Sequence, residues 1–156
     1  MDVVVRYVFT GDPSLALLGE GSYGKVYKAK DRLTGNSVAI KQIALEKLSV
    51  REEELIRQEI ELCYALQEDF HKSIIRVVDV FEDDDTTINL VMDFFDGKSL
   101  YQWMKKDLKS DRNKEKVIQQ VFKDMCEAVA FVQSRGIVHR DIKLDNFMIQ
   151  VHPITK

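Results

Sequence analysis

Cysteine and proline are scarce in this sequence, with two residues of each type among 156. Two thiols are too few for a disulfide framework, and neither Cys63 nor Cys126 has another Cys or a His at a spacing typical of metal ligands. Both lie within helical apolar stripes. We therefore expect reduced core thiols and an intracellular, reducing location, either cytoplasmic or nuclear.

Long hydrophobic runs and a strong net charge are lacking as well. No apolar run approaches the roughly 18 residues that a membrane-spanning helix needs. The start, MDVVVRYVF, has an acidic second residue and no basic opening, so it is unlike a signal peptide and is read as a strand or a tail. A net charge of −3 argues against binding by neutralisation of nucleic-acid phosphates. We expect neither a membrane nor a nucleic acid as a partner.

The first part of the chain is rich in strand patterns. Five short apolar runs are bounded by Gly, Asn and Asp and predict five strands: LALLGEG, KVYKAK, SVAIKQI, IIRVVDVFE and TINLVMDFF. One segment, SVREEELIRQEIELCYAL, has apolar residues at helical spacing instead. Ser49 and Glu52 form a capping-box signature at its start, so a helix is predicted to begin there.

The pattern changes to helical after about residue 99. Apolar residues recur with a period of 3.6 and predict a helix from about Lys114 to Ser134, with Gly136 as its stop signal. The sequence therefore predicts an α+β protein. Its strand-rich unit spans residues 1–94, a connector spans 95–99 and a helical unit spans 100–156.

A glycine cluster, GEGSYGKV, separates the first two predicted strands. Gly19, Gly21 and Gly24 would let the main chain approach phosphates closely and present its N–H groups. A tight turn without a ligand is the alternative interpretation. A strand follows the cluster, which distinguishes it from the dinucleotide-binding fingerprint, where a helix follows.

Lys41 lies in the strand VAIK, where the two-residue period places it on the same face as Ala39. A surface lysine is the alternative. Glu59 decides between the two, because it lies between Ile56 and Cys63 in the apolar stripe of the predicted helix. A carboxylate that faces a core needs a cation. We therefore predict an ion pair between Lys41 and Glu59.

The segment GIVHRDIKLDNFMI crowds ionisable groups between apolar pairs. Together with the glycine cluster, the VAIK lysine and the helix glutamate, all in this order from about residue 15 to 149, it resembles the eukaryotic protein kinase domain of the serine/threonine type. The resemblance implies a kinase fold, with a five-stranded antiparallel sheet and a C helix in the N-lobe, followed by the first part of a helical C-lobe. It also implies ATP and Mg²⁺ as cofactors and a Ser or Thr side chain of a protein as substrate.

The resemblance implies a role for each matched residue. Asp141 resembles the base that accepts the proton of the substrate hydroxyl, Lys143 the lysine that steadies the transferred phosphoryl group, and Asn146 a metal ligand. His139 resembles a packing residue, and Arg140 the arginine that contacts a phosphorylated activation loop. The implied nucleotide-binding residues are Leu18, Gly19, Gly21, Gly24, Val26, Ala39, Lys41, Glu59, Met92, Asp93, Phe95 and Met148.

The second metal ligand of the family is the Asp of a DFG motif, about a dozen residues after the position that Asn146 occupies. The sequence ends at Lys156 and contains no DFG. We therefore expect a truncated catalytic domain with little or no activity by itself and with an exposed C-lobe surface that promotes self-association. A nucleotide-binding or decoy interaction module without catalysis is one alternative, and a scaffold that only binds partners is another.

Overall fold

The computed structural model describes residues 6–9, 16–21, 24–66, 71–83, 86–108 and 114–150. The chain divides into two compact units. The first unit comprises residues 1–68 and 75–94, and the second comprises 69–74 and 95–156. Among the described residues, no helix is both long enough and apolar enough to span a bilayer.

The first unit is built on one antiparallel sheet. Its strands are β1 (Tyr7–Phe9), β2 (Leu17–Gly21), β3 (Gly24–Asp31), β4 (Ser37–Ala44), β5 (Val77–Asp83) and β6 (Thr87–Asp93). Their spatial order is β1-β3-β4-β6-β5, and β2 also pairs with β3. A short 3₁₀ turn, Leu45–Lys47, leads from β4 into the helix α1, Val50–Ala65.

Strands β1 and β2 share one edge of β3. Strand β4 pairs with β3 from Lys25 to Lys30, so it occupies one edge of β3 along most of its length. Strand β2 therefore uses the other edge near the glycine turn, and β1 uses the same edge further along, with Phe9 opposite Ala29. The predicted five-stranded sheet is thus confirmed, with the short strands β1 and β2 sharing the position at the outer edge of β3.

Two apolar clusters cover the two faces of this sheet. One cluster contains Tyr7, Ala29, Val38, Ile40 and Val91. The other contains Ile43 and Ile88 from the sheet and Ile56 from α1. Ile40 and Ile43 of β4 belong to different clusters, because even- and odd-numbered side chains of a strand point to opposite faces of the sheet. Helix α1 therefore packs on the face opposite Val38 and Ile40.

The predicted start of α1 is confirmed. Ser49 caps the helix, with its Oγ accepting the Glu52 N–H at 3.3 Å while the Glu52 carboxylate accepts the Ser49 N–H at 2.8 Å. This reciprocal pair satisfies two main-chain donors that the helix itself leaves without partners. Ile56 is the one buried residue described in α1, so a narrow line of contact holds the helix to the sheet.

The second unit contains β7 (Lys98–Ser99), α2 (Leu100–Lys106), α3 (Lys114–Ser134), a 3₁₀ turn (Leu144–Asn146) and β8 (Met148–Ile149). Helix α3 has the predicted ends. Gly136 follows it with a φ of 73°, in the left-handed region, and the Ile137 N–H returns to the Val132 carbonyl. This is a Schellman-type helix end, for which glycine is favoured.

The expectation of two core thiols is wrong for Cys126. Both cysteines are free, but Cys126 is exposed on α3 and Cys63 is half-buried on α1. On the same helix, Phe122 is 65% exposed and Ala128 is the one buried residue. The apolar stripe of α3 exists as predicted, but no described element covers the side on which Cys126 lies.

A charge cluster fastens β1 to the rest of the first unit. Arg6 donates two hydrogen bonds to Asp31, at 3.0 and 3.1 Å, and a third to Asp79 at 3.1 Å. Asp31 is buried, and it also accepts from the Leu33 N–H and the Thr34 hydroxyl in the β3–β4 turn. The Arg6 guanidinium lowers the pKa of Asp31 to about 2.

This cluster predicts a pH-dependent loss of stability in Arg6→Met. Because the pKa of Asp31 is lower in the folded state, the cluster stabilises the fold above about pH 4 and ceases to do so as the pH falls toward 2. We expect Arg6→Met to lower the free energy of unfolding at pH 7 by about 1–3 kcal/mol, measured by urea denaturation. The difference from the wild type should shrink at low pH.

Arg32→Met is the matched control, because it removes the same charge from the exposed neighbour of Asp31. It should leave the urea midpoint within the spread expected for surface substitutions, about 0.5 kcal/mol. Equal effects of the two variants at pH 7 would contradict the special role of Arg6.

Candidate nucleotide-binding and catalytic site

The glycine cluster forms the turn between β2 and β3. Gly21 pairs with Gly24 at the end of the hairpin, and residues 22 and 23 lie outside the described residues. A methyl group at Gly24 would overlap the carbonyl of Gln42, so the sheet itself requires glycine there. At Gly19, a Cβ would meet none of the described atoms within 4 Å. Packing therefore explains one of these glycines, and the predicted approach to phosphates remains a prediction for the others.

The sheet register brings four predicted nucleotide-binding side chains onto one face. Val26 lies opposite Lys41, while Lys28 lies opposite Ala39, which lies opposite Met92. Directly paired residues of antiparallel strands point to the same side. Ala39 is buried and Lys41 is half-buried. The face therefore combines a small apolar patch with a cation.

Leu18 lies at an irregularity in the pairing of β2 with β3, and its side chain is 49% exposed.

At the other end of the sheet, Asp93 is the last residue of β6. Its N–H donates to the Arg76 carbonyl at 2.9 Å, and its carboxylate accepts two hydrogen bonds from the Arg76 guanidinium. The ring of Phe94 lies 4.0 Å from the Lys28 ammonium.

The predicted contact between Lys41 and Glu59 is wrong for this structure. Both residues are described, but no hydrogen bond or ion pair joins them, and Glu59 is exposed. Helix α1 packs through Ile56 and Ile60, so Glu59 lies to one side of the line of contact, where water can solvate its carboxylate. The core position assumed for Glu59 does not exist, and its charge needs no partner.

Cys63 shows that Lys41 and Glu59 nevertheless lie in one neighbourhood. Burial raises the pKa of the Cys63 thiol, the Glu59 carboxylate raises it further, and the Lys41 ammonium lowers it. On the adjacent side of α1, Arg57 is paired with Glu53 and with Glu82 of β5. These pairs connect α1 to β5 in the orientation that leaves Glu59 free of Lys41.

Main-chain contacts in the second unit hold the segment that contains the predicted catalytic residues. Strand β8 pairs with β7, and the Leu100 N–H donates to the Phe147 carbonyl at 2.7 Å. Leu100 and Trp103 of α2 are buried, and α2 contacts the 3₁₀ turn at residues 144–146. The C-terminal side of the charged segment is therefore anchored to a small apolar core.

The apolar residues on either side of this segment anchor it only in part. Ile137, Phe147 and Ile149 are half-buried, whereas Val138 is 68% exposed and Met148 is 44% exposed. Met148 and Phe95 both belong to the second unit. A methyl group at Gly97 would overlap the ring of Phe95 and approach the Ile149 carbonyl to 2.6 Å, so glycine is required where the connector meets β8.

The three predicted catalytic side chains converge within this segment. The Asp141 carboxylate accepts hydrogen bonds from the Lys143 ammonium and the Asn146 amide, each at 2.8 Å. The Asn146 amide also donates to the Asp141 carbonyl at 2.7 Å. The sequence predicted the identities of these residues but not their mutual contacts, because hydrogen bonding depends on the loop conformation.

The main chain at Arg140 sets this conformation. Arg140 has a φ of 62°, and the Asp141 N–H donates to the His139 carbonyl at 2.9 Å. A hydrogen bond between residues two apart defines a γ-turn, and positive φ is unfavourable for a residue with a Cβ. The Asp141 N–H also donates to Nδ1 of His139 at 3.2 Å. His139 therefore supports the turn from which Asp141 projects.

The charges around Asp141 favour its ionised form. The Lys143 ammonium is the largest cause of its lowered pKa, and the hydrogen bond from Asn146 is the second. In return, the Asp141 carboxylate raises the pKa of Lys143. The cluster thus presents an ionised carboxylate beside an ammonium, as required for accepting a proton next to a developing negative charge.

Comparison with known proteins identifies the family. The model of the protein kinase domain matches residues 14–156, which is most of the chain. The chain belongs to the protein kinase domain family. Its first unit is a kinase N-lobe, and its second is part of a C-lobe. As a family, these enzymes use ATP and a divalent cation.

Named relatives are similar over most of the chain. CBL-interacting protein kinase 25 of Oryza sativa subsp. japonica is 35% identical over 85% of this chain, and human NUAK family SNF1-like kinase 1 is 34% identical over 85%. Serine/threonine-protein kinase TIO of Arabidopsis thaliana is 32% identical over 91%. The chain spans 26%, 19% and 10% of the lengths of these relatives, respectively.

Asn146 fits the role of a metal ligand. Its amide nitrogen faces Asp141, and its amide oxygen has no partner among the described residues. Carbonyl oxygens are ligands that Mg²⁺ accepts, and Mg²⁺ keeps several waters when it is bound through few protein groups. The described residues contain no group of three or more His, Cys, Asp or Glu that could hold a metal. The Asn146 amide oxygen is thus a group that could contribute one ligand to a divalent cation.

The contact between Lys143 and Asp141 predicts that Lys143→Met raises the pKa of Asp141, because the largest cause of its lowered pKa is then removed. Titration of the Asp141 carboxyl carbon, followed by NMR, measures this change. Lys116→Met removes the same charge from an exposed position of α3 and should leave the Asp141 titration unchanged. An Asp141 titration that is identical in Lys143→Met and the wild type would contradict the prediction.

Proposed function

We propose that this chain carries the nucleotide-binding and catalytic residues of an ATP-dependent serine/threonine protein kinase. Its reaction would transfer the γ-phosphoryl group of Mg²⁺-bound ATP to a Ser or Thr hydroxyl of a protein. The observation that carries the proposal is the convergence of Asp141, Lys143 and Asn146 in a chain of this family.

Asp141 would act as the general base. The substrate hydroxyl oxygen forms a bond to the γ-phosphorus, the bond from that phosphorus to the bridging oxygen breaks, and ADP leaves. The hydroxyl proton passes to the Asp141 carboxylate, which Lys143 and Asn146 keep ionised. Lys143 has three N–H donors, so it can keep its bond to Asp141 while another donor faces the transferred phosphoryl group.

Asn146 would hold the metal through its amide oxygen. When Mg²⁺ is bound, it neutralises negative charge on the phosphates. The hydrogen bonds from the Asn146 amide nitrogen to Asp141 orient that oxygen away from the carboxylate. The same side chain would therefore position the base and one ligand of the metal.

Most of the proposed nucleotide-binding residues lie in the first unit. Val26 and Ala39 offer apolar contacts for adenine, and Lys41 on the same face offers a cation for the phosphates. The main chain of Asp93 and Phe95 would hydrogen-bond adenine. The remaining proposed nucleotide-binding residues are Leu18, Gly19, Gly21, Gly24, Glu59, Met92 and Met148.

The proposal also includes the type of substrate residue and the cellular location. Lys143 lies two residues after Asp141, as in kinases that act on Ser and Thr, and one relative is named a serine/threonine-protein kinase. The two free cysteines support a reducing location, in the cytoplasm or the nucleus.

One observation favours a second candidate, a nucleotide-binding or decoy interaction module without catalysis. In active protein kinases, the lysine that corresponds to Lys41 is paired with a glutamate of the C helix. Here no contact joins Lys41 to Glu59. For the kinase proposal, α1 therefore has to move toward Lys41 before transfer, whereas a binding module needs no such step.

Two substitutions test the proposal. Lys41→Met should weaken ATP binding by about tenfold or more, because a charged partner of the phosphates is lost, as measured by calorimetry. In a longer chain that also contains the family's DFG motif, Asp141→Asn should leave ATP affinity nearly unchanged and lower transfer from radiolabelled ATP to a Ser/Thr peptide by about 100-fold or more. Lys47→Met is the control, since it removes a charge from an exposed position of the first unit.

The outcomes separate the two candidates. ATP binding that depends on Lys41, without any phosphoryl transfer by the longer chain that contains the DFG motif, supports the binding module. Equal ATP affinity in the wild type and Lys41→Met would contradict both candidates.

The exposed stripe of α3 supports a proposal of self-association. Phe122 and Ile118 on this helix are 65% and 42% exposed. Exposed apolar patches mark interfaces or aggregation sites. We expect Phe122→Ser to reduce the apparent mass in light scattering and the binding of a hydrophobic-surface dye, whereas Gln119→Ser, also exposed on α3, should change neither. A wild type that is monodisperse, monomeric and does not bind the dye would contradict this proposal.

A further inference from the structure

The end of β6 is held by three hydrogen bonds between Arg76 and Asp93. The Arg76 carbonyl accepts the Asp93 N–H at 2.9 Å, and the Arg76 guanidinium donates from two nitrogens to the two Asp93 carboxylate oxygens, each at 3.2 Å. A two-point contact of this kind restricts orientation as well as distance. Arg76 therefore fixes both the main chain and the side chain of Asp93.

The next residue, Phe94, is held by a different cation. The Lys28 ammonium lies 4.0 Å from the centre of the Phe94 ring, well within the range of about 6 Å for a cation–π contact. Both side chains are half-buried. Among the described residues, no carboxylate forms an ion pair with Lys28. The Phe94 ring is therefore the group that contacts the Lys28 ammonium.

The register explains how Lys28 reaches Phe94. Lys28 lies opposite Ala39, and Ala39 lies opposite Met92, two residues before Phe94. Directly paired side chains share a face, and Phe94 follows immediately after the end of β6. The Lys28 side chain therefore extends along the face that carries Ala39 and Lys41, past β4 and toward the end of β6.

We infer that Lys28 is a positioning residue for nucleotide binding. With Arg76, it fixes two successive residues, Asp93 and Phe94, where β6 enters the connector. Main-chain hydrogen bonds to adenine from this segment need the chain placed within about 0.5 Å. This inference rests on the proposed function, because it assumes that the main chain at Asp93 and Phe95 binds adenine.

The test separates the base from the phosphates. Calorimetry with adenosine and with inorganic triphosphate as separate probes is carried out on the whole chain. We expect Lys28→Met to weaken adenosine binding by about two- to fivefold, the range expected of a cation–π contact that is still partly accessible to solvent. Triphosphate binding should not change, because Lys28 acts on the adenine-binding segment.

Two further variants show what the effect depends on. Lys28→Arg keeps a cation that can lie over Phe94 and should restore most of the adenosine affinity. Lys30→Met removes the same charge from the same face of β3 at an exposed position and should change neither affinity. A melting temperature measured on each variant identifies any loss of folding.

Each contrary result overturns the inference in a distinct way. Weaker triphosphate binding in Lys28→Met would make Lys28 a phosphate ligand. Equal adenosine affinity in Lys28→Met and the wild type, or no rescue by Lys28→Arg, would show that the cation–π contact does not position the segment. A wild type that binds neither probe would refute the proposed function, and the inference with it.

Discussion

The antiparallel register of β3, β4 and β6 is the constraint on which the part of the candidate site in the first unit depends. It places Val26 opposite Lys41 and aligns Lys28, Ala39 and Met92 across three strands. A slip of one residue would turn every one of these side chains to the other face. The two apolar clusters oppose such a slip, because Ile40 would leave one core and Ile43 the other.

The catalytic segment is held in another way. Asp141, Lys143 and Asn146 are all exposed, so burial does not position them. A γ-turn at Arg140 and hydrogen bonds among the three side chains do so instead, while the Leu100–Phe147 contact fixes the end of the segment. This arrangement leaves the Asp141 carboxylate accessible to solvent, as the proposed role of a proton acceptor requires.

Much of this could be predicted from the sequence. The capping box at Ser49 and the glycine at Gly136 are local signals. The first correctly marked the start of α1, and the second correctly marked the C-terminal end of α3. The candidate catalytic residues were predicted from motif order, and their roles remain proposals. The environment of Glu59 and of Cys126 could not be predicted, because helical periodicity gives a face but not what lies against it. The position of Lys28 could be predicted in part, because the two-residue period of a strand places it on the face of Ala39 once β3 and β4 are paired. Its contact with Phe94 could not be predicted, because that contact depends on the order of the strands in the sheet.

The pairing of both β1 and β2 with one edge of β3 affects whether another chain could add a strand to this edge. Strand β2 pairs with β3 as far as Tyr27, and β1 resumes at Ala29, so only Lys28 lies between the two paired stretches. A free strand edge is a template on which another chain can add a strand. Along this edge, the described part of β3 leaves a gap of one residue between its two paired stretches, which is too short for another strand to add.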